Sequence, residues 1–358
     1  MKGDGVFLAS LNDVAKAAGV SITTASFVIN GHAEDMRIAP HTAEKVLEAV
    51  RKLEYVPNVS AKKLTNRIDR SSTIPEIAIL WAPSLHPAFL GSFITNAQEL
   101  FDQELVREMH ITVSPFTINH INNLENDFLD RYYNGVIVSP IYDKEFSYIN
   151  NIATRIPLVV LHVRSDKHHN VIVDNYITGR KAAEIFAARG HRSAAMFYVR
   201  NVGATSEPDY RLRGFSETCF THNMDFFGVE VPFESLGLTV ARSMYGRQKA
   251  LEFLQNKKLP EAIFIQDDVI SMGFITTLLG AGVRIPDDIE IITYGSNDIA
   301  DACHPSITTI DYPISDITRE ALQLLSAQLS NPFSQPKLIV VTPTVTFRES
   351  CPKPDGWE

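Results

Sequence analysis

The chain has 358 residues, of which 45% are hydrophobic and 21% charged, and its formal net charge is −9. This composition is typical of a globular protein of two or three domains, and no apolar run is long enough for a membrane span or a signal peptide. Cys219, Cys303 and Cys351 are far apart and odd in number. They show neither a disulfide framework nor metal-ligand spacing, which favours a reducing cytoplasm and predicts no metal and no cofactor.

The charge is unevenly distributed along the chain. Residues 1–72 contain ten Lys or Arg and eight Asp or Glu, a net +2, whereas residues 73–358 contain 23 and 34, a net −11. Bases are concentrated in the segment "AKKLTNRIDR", residues 61–70. A mildly basic head on an acidic body is compatible with an anionic partner for the head.

Residues 10–56 predict a small helical unit. Ser10 and Asp13 fit a capping box that begins a first helix, and Gly19 ends it. Ser21 can cap a second helix, which stops at Asn30. Apolar residues at helical spacing predict a third helix within residues 41–56, namely Val46, Leu47, Val50 and Leu53.

The two short helices joined by "AGVS" have the pattern of a helix-turn-helix, whose second helix enters a major groove. We expect Ala25, Val28 and Ile29 to form its small apolar inner face. Side chains at its N-terminal end can reach base edges or thymine methyl groups; these are Ile22, Thr23 and Thr24. The alternative is a capped surface helix in an ordinary three-helix unit.

From residue 76 onward short apolar runs alternate with helical patterns. The runs are "IAIL", "GVIVSP", "PLVVLHV", "NVIVD", "AAMFYV", "AIFI" and "IEIITYG". Apolar strands that alternate with amphipathic helices predict parallel sheets covered on both faces. Because the strands are too many for one small sheet, we expect an α/β core of two doubly wound subdomains.

Several motifs in order resemble the LacI/GalR family of bacterial transcription regulators. The head carries "LNDVAKAAGVSITTASFVING" and "HTAEKVLEAVRKLEYVPN". The core carries "IVDNYITGRKAAEIFAARGHR", "YRLRGF", "AIFIQDDVISMGF", "VRIPDDIEIITYG" and "HPSITTIDYP". Each motif alone is weak, but their order over most of the chain is highly specific. The resemblance implies a ligand-responsive regulator, a repressor rather than an enzyme.

The resemblance implies that the head reads one operator half-site and that a homodimer reads a palindrome. Residues 58–65 match the family's hinge helix, in which a leucine at the position of Leu64 wedges into the minor groove and kinks the DNA. The alternative for Leu64 is a packing residue of a linker helix. The predicted DNA-binding residues are Ser21, Ile22, Thr23, Thr24, Ser26, Phe27, Asn30, Asn58, Ala61, Lys62, Lys63 and Leu64.

Three positions depart from the family pattern. Phe27 stands where an arginine is common, so that either it contacts a thymine methyl group or a sugar, or it packs inward. Gly295 replaces the usual aspartate, and Thr318 stands where glycine is common.

Ligands of doubly wound sheets bind at the carboxyl ends of strands, here between the two subdomains. Arg211 and Asp268 match family positions that contact the effector, and their donors and acceptors suit a sugar or, as the second choice, a purine-like heterocycle. Arg211 and Asp268 could instead be mutual structural partners. His86, Phe89 and Tyr142 follow strands of the first subdomain and could line the same cleft, or belong to the core.

The predicted fold is an N-terminal all-α helix-turn-helix head with a hinge helix, followed by a core like that of periplasmic binding proteins. The head covers residues 1–57, the hinge and linker 58–74 and the core 75–358. We assign residues 75–175 and 304–334 to an N-subdomain, and 176–303 and 335–350 to a C-subdomain. A solute-binding protein and an enzyme, with His86, Asp268 and Ser271 meeting, are the alternatives; phosphate-loop, dinucleotide and hydrolase motifs are absent.

Overall fold

The computed structural model describes residues 11–29, 33, 36–53, 74–81, 87–115, 133–139, 143–151, 156–199, 209–232, 239–256, 259–295, 297–331 and 334–357. The chain divides into two compact units, Met1–Thr73 and Ile74–Glu358. The second unit thus starts one residue before the predicted start of the core. The predicted hinge helix, residues 58–65, lies outside the described residues. None of the described helices combines the length and apolar character that crossing a membrane requires.

The first unit contains three described helices around a small core. They are α1 (Leu11–Ala18), α2 (Ile22–Ile29) and α3 (Pro40–Lys52). Val14, Ala25 and Val46, one from each helix, are completely buried in a common cluster. Gly19 follows α1 with a φ of 69°, a left-handed conformation that favours glycine and ends the helix as predicted. The third helix is present as the apolar spacing predicts, although Leu47, one of the residues that predict it, is 46% exposed.

The N-subdomain of the second unit is a parallel sheet with helices on both faces. Its described strands are β1 (Glu76–Trp81), β2 (His110–Pro115), β3 (Gly135–Ser139), β4 (Leu158–Leu161), β5 (His169–Val173) and β11 (Leu338–Val341). Their order is β11-β5-β4-β3-β1-β2. Helices α4 (Pro87–Asp102) and α11 (Ile314–Ser330) pack on one face, and α5 (Asp143–Asn151) packs on the other.

The C-subdomain repeats this architecture. Its described strands are β6 (Ser193–Val199), β7 (Asp225–Val231), β8 (Ala262–Ile265), β9 (Glu290–Gly295), β10 (Thr308–Asp311) and β12 (Val345–Thr346). The order is β12-β10-β9-β8-β6-β7, with β12 antiparallel to β10. One face carries α6 (Asn175–Ala188) and α7 (Tyr210–Thr221); the other carries α8 (Thr239–Asn256) and α9 (Asp268–Gly280). A short helix, α10 (Asn297–Ala302), follows β9.

Two strands lie in the sheet opposite to the one that the sequence predicted. Strand β10 pairs with β9 of the C-subdomain, although residues 304–334 were assigned to the N-subdomain. Strand β11 pairs with β5 of the N-subdomain, although residues 335–350 were assigned to the C-subdomain. The assignment is wrong at these strands because a strand of only four residues beside a crossover fits either sheet. Only its pairing partners decide between them.

Each helix pair of the C-subdomain crosses at glycines. A Cβ on Gly179 of α6 would lie 1.9 Å from the carbonyl oxygen of Arg211, and one on Gly214 of α7 would lie 2.1 Å from that of Tyr176. Gly246 of α8 and Gly273 of α9 approach the facing backbone equally closely, at 2.1 and 2.0 Å. The first crossing therefore holds the backbone of Arg211 directly against α6.

Candidate functional site

The second helix of the head begins with the predicted cap. The Ser21 hydroxyl oxygen accepts the backbone N–H of Thr24 at 3.0 Å and shares a hydrogen bond of 2.8 Å with the Thr24 hydroxyl. This arrangement satisfies an N–H that would otherwise have no partner in the helix. Ser21 and Thr24 are thus bonded to each other at the start of α2.

The two faces of α2 differ as the sequence predicts. Ala25 and Val28 are buried in the core of the head, whereas Ile22 is 50% exposed and Thr23 is exposed. Ser26 and Phe27 are half-buried. Phe27 is not among the described side chains that pack on the head core. Residues predicted to bind DNA that lie outside the described residues are Asn30, Asn58, Ala61, Lys62, Lys63 and Leu64.

Arg211 is held at the carboxyl ends of the strands by two amide side chains. It lies in the first turn of α7, which Asp209 caps by accepting the N–H groups of Arg211 and Leu212 at 3.1 Å. Its guanidinium donates from Nη1 to Gln266 Oε1 at 2.9 Å and from Nη2 to Asn175 Oδ1 at 2.6 Å. No described carboxylate pairs with it, so the alternative of a structural pair with Asp268 is wrong.

An aromatic column connects Arg211 with the N-subdomain. The guanidinium carbon lies 4.0 Å from the ring centroid of Tyr294, a cation–π contact. Tyr294 meets Tyr312 edge to face at 5.9 Å, and Tyr312 stacks on Phe89 at 4.2 Å. Burial raises the pKa of Tyr294 to about 12 despite the nearby arginine, and it also raises the pKa of Tyr312 well above its ordinary value. Both phenols are therefore neutral donors at physiological pH.

His162 joins this column to the N-subdomain sheet. It has a φ of 68°, which is unusual for a residue other than glycine. Its Nδ1 lies 2.8 Å from the Ser139 hydroxyl, and its Nε2 is hydrogen-bonded to the Tyr312 hydroxyl. Burial lowers the pKa of His162 to about 4, so the imidazole is neutral and can both donate and accept.

Two family models match this chain, one in each of its two compact units. The family described as bacterial regulatory proteins, lacI family, matches residues 10–58, and the periplasmic binding protein-like domain matches residues 183–351. The HTH-type transcriptional regulator DegA of Bacillus subtilis (strain 168) is 28% identical over 348 residues, which cover 95% of this chain and 97% of DegA. The chain therefore joins a lacI-family regulatory domain, residues 10–58, to a periplasmic binding protein-like domain.

Solved structures show the same fold for this chain. The lac repressor dimer bound to operator and the anti-inducer ONPF superposes with a TM-score of 0.67 at 20% identity, covering 96% of this chain and 99% of that one. The complex of the transcriptional regulator CelR with cellobiose has a TM-score of 0.64 at 21% identity, with the same coverage of 96% and 99%.

The second predicted effector residue, Asp268, explains one departure from the family. Asp268 is almost completely buried in the first turn of α9, and a Cβ on Gly295 would lie 2.7 Å from its Oδ2. The aspartate that is common at this position in the LacI/GalR family therefore has no room beside Asp268 here. Thr318 is buried, and its hydroxyl donates to the Ile314 carbonyl of its own helix at 2.8 Å; nothing in the structure explains why it replaces glycine.

The structure brings Arg211 and Phe89 into one column, whereas the predicted His86 and Tyr142 lie outside the described residues. The aromatic column, the histidine bonded to it and the two amide side chains that hold Arg211 include residues that the sequence analysis did not predict. These are His162, Asn175, Gln266, Tyr294 and Tyr312. Each of them ends or closely follows a strand, so the rule that ligands bind at carboxyl ends could have found them. Ser271, considered for catalysis, donates to the Asp267 carbonyl at 2.8 Å and contacts Thr293.

A second polar cluster lies at the opposite end of strand β9. Glu290 Oε1 accepts from Arg189 Nε at 2.9 Å and Nη2 at 2.5 Å. Its Oε2 lies 2.9 Å from His191 Nε2 and accepts from Cys351 Sγ at 3.2 Å. Burial by itself raises the pKa of Glu290, but these hydrogen bonds outweigh it and lower the pKa to about 2. No group of potential metal ligands is found in the described part of the chain.

Proposed function

We propose that this protein is a repressor that binds a palindromic operator as a homodimer, and that a sugar in the core cleft controls its affinity for that operator. The observation that carries the proposal is the presence in one chain of an exposed recognition-helix face and of a half-buried arginine, Arg211, whose buried Nε has no hydrogen-bond partner among the described residues. The three free thiols are in keeping with the cytoplasm.

The head supports the DNA part of the proposal. Ile22 and Thr23 extend from the first turn of α2, where a recognition helix contacts base edges. An isoleucine side chain suits a thymine methyl group, and a threonine hydroxyl suits a base edge or a phosphate. The proposal includes Leu64 as a minor-groove wedge between basic residues of the predicted hinge.

The cleft supports the effector part. Arg211 supplies N–H donors and Asp268 supplies a carboxylate acceptor, which together match the hydroxyl groups of a sugar. Tyr294, Tyr312 and Phe89 supply aromatic faces for its apolar C–H surface. The structural neighbour CelR was solved with cellobiose, so a core of this fold can hold a sugar.

We expect control by a shift of population between two arrangements of the subdomains. The chain passes between the sheets after β5, β10 and β11, and the aromatic column connects the two sides. A ligand that binds one arrangement more tightly than the other raises the population of that arrangement. The ratio of the two affinities sets the size of this shift. That arrangement in turn orders or melts the hinge helices on the operator.

The test begins with selection from randomised duplexes by the full-length protein. We expect an inverted repeat bound by two subunits, with affinity that falls steeply with salt. Equal and feeble affinity for every duplex would refute the DNA part. A thermal-shift screen of sugars, nucleosides and purines then identifies the effector, because a specific ligand raises the melting temperature.

The double variant Arg211→Ala and Asp268→Ala tests the cleft. We expect it to bind the selected operator like the wild type and to lose the response to the effector, because both side chains belong to the proposed ligand site. An unchanged response in the double variant would show that the effector binds elsewhere.

A further inference from the structure

The chemical class of the ligand can be inferred from donors that the cleft leaves unused; this inference rests on the proposed function. Arg211 Nε and Gln266 Nε2 are both buried, and neither has a hydrogen-bond partner in the described part of the protein. Buried N–H groups without an acceptor cost free energy and are rare in native structures. A ligand with an acceptor at this point removes that cost.

The hydrogen bonds of the site determine where these donors lie. A guanidinium has only donors, so the atom of each amide that faces Arg211 must be its oxygen. The NH₂ group of Gln266 is therefore the end directed away from the Arg211 Nη1 contact. Because the two side chains are bonded at 2.9 Å, their unused donors belong to one small region. Arg211 also retains a second N–H on each Nη.

The hydrogen-bond partners of Arg211 distinguish it from other arginines of the C-subdomain. Three of those pair with a carboxylate: Arg189 with Glu290 at 2.5 Å, Arg242 with Asp267 at 3.0 Å and Arg348 with Asp301 at 2.5 Å. Arg211 donates instead to two neutral amides and stacks on a neutral ring. A partly buried cation that lacks a carboxylate partner favours an anion as its ligand.

The surrounding groups indicate what else the ligand carries. Asp268, two residues after Gln266, is an acceptor suited to hydroxyl groups. On the N-subdomain side, Trp81 Nε1 is a further buried donor without a partner among the described residues, in the cluster on which Phe89 and Tyr312 pack. Donors for an acid group, an acceptor for hydroxyls and aromatic faces together describe a carboxylated sugar.

We propose that the effector is a sugar acid whose carboxylate binds between Arg211 and Gln266. The planar guanidinium offers Nε–H and a neighbouring Nη N–H to the two carboxylate oxygens, while the Gln266 amide donates a further hydrogen bond. A neutral sugar fills the same volume but leaves the charge of Arg211 without a partner.

The test compares acids with their neutral parents on the full-length protein. Thermal shifts and calorimetric titrations are measured with D-glucuronate against D-glucose and with D-galacturonate against D-galactose. We expect at least one acid to bind about tenfold or more tightly than its parent, since charge-assisted hydrogen bonds are roughly twice as strong as neutral ones. Arg211→Gln should remove that advantage and leave the weak binding of the parent.

Arg213→Gln is the matched control. Arg213 lies two residues further along α7, is exposed and pairs with Glu217 at 2.7 Å, so the preference for the acid should persist in that variant. Glucose 6-phosphate and inorganic sulfate distinguish a carboxylate site from a general anion site; tighter binding of either overturns the proposal.

Two other outcomes also overturn the proposal. One is a parent sugar that binds as tightly as its acid, and the other is the absence of any acid-induced shift. The operator selection described above is independent of both, and a neutral sugar that binds through Arg211 leaves the proposed function intact. Failure of the sugar-acid proposal is therefore distinguishable from failure of the proposed function.

Discussion

Strand β9 begins at one polar cluster and ends at another, and the two are built in opposite ways. At its start, Glu290 receives hydrogen bonds from Arg189 and Cys351 and contacts His191, so that its oxygens have several partners. At its end, Tyr294 lies under Arg211, whose Nε has no partner among the described residues. Both clusters contain a partly buried arginine, but only the first contains the carboxylate that neutralises it.

The presence or absence of that carboxylate distinguishes a cluster that stabilises the fold from one that can bind a ligand. A buried ion that is fully hydrogen-bonded contributes to the folded state and has no remaining capacity for a ligand. A buried cation held by neutral amides, with donors left over, is positioned without being neutralised. Unused hydrogen-bonding capacity, rather than burial or charge alone, marks the ligand site.

The largest expected effect is that of Glu290→Gln. This change leaves Arg189 and His191 at a buried site without their carboxylate, so the free energy of unfolding should fall by about 3 kcal/mol. Urea denaturation followed by circular dichroism measures it. Glu261→Gln is the control at the same edge; Glu261 is half exposed and accepts the Arg192 N–H at 2.5 Å, so its loss should be below about 1 kcal/mol. Equal losses of stability in the two variants would show that the buried Glu290 cluster does not stabilise the fold more than an exposed carboxylate does.

Next in size is Gly179→Ala. The new Cβ would lie 1.9 Å from the Arg211 carbonyl oxygen, so α6 and α7 must separate and the protein should lose about 2 kcal/mol of stability. Because Arg211 moves with its helix, the affinity for the effector should fall as well. Gly135→Ala is the control: its Cβ would meet the Leu325 side chain at 3.0 Å at the start of β3, away from the carboxyl ends of the strands, so it should lower stability but spare ligand binding. Equal loss of ligand affinity in both variants would refute the positioning role.

The Glu290 cluster also predicts how stability depends on pH. The pKa of Glu290 is about 2 in the folded protein, below its unfolded value of about 4.3. The carboxylate therefore stabilises the fold above the unfolded pKa, and this contribution is lost as the pH falls towards 2. The difference in unfolding free energy between the wild type and Glu290→Gln should therefore shrink as the pH falls from about 5 to about 2. A constant difference would show that another group is responsible.

Phe27→Arg extends the comparison to the head. Phe27 is half-buried and is not among the described side chains packed on the head core, so an arginine there can reach a phosphate. We expect affinity for DNA to rise about tenfold and the slope of log K against log salt to steepen by about 0.9. Electrophoretic mobility shifts over a salt series measure both. An unchanged slope would mean that the side chain faces the core.

The smallest effect is that of Ser21→Ala. Loss of the hydroxyl that accepts the Thr24 N–H should destabilise the head by about 1 kcal/mol. Thr23→Val is the control, since Thr23 is exposed and should alter DNA affinity with less effect on stability. The melting of the head in both variants, followed by far-ultraviolet circular dichroism, decides whether Ser21 acts as the cap.

Local structure could be predicted well, and the reason is physical. The cap at Ser21, the left-handed Gly19 and the buried Ala25 and Val28 all depend on residues within one or two turns. Arg211 was found through its family motif. Gln266 and Asn175, which hold it, carry no local signal beyond following a strand, because their role depends on where α7 lies relative to β5 and β8.

By itself, the amino-acid sequence determined the helices of the head, the alternation of strands and helices, and the family, because capping, periodicity and motif order are written in contiguous residues. The tertiary structure alone decided that β10 and β11 exchange sheets, that Gly295 makes room for Asp268, and that Glu290 is neutralised while Arg211 is not. These features depend on contacts between stretches far apart in the chain, and such contacts exist only after the two sheets have formed.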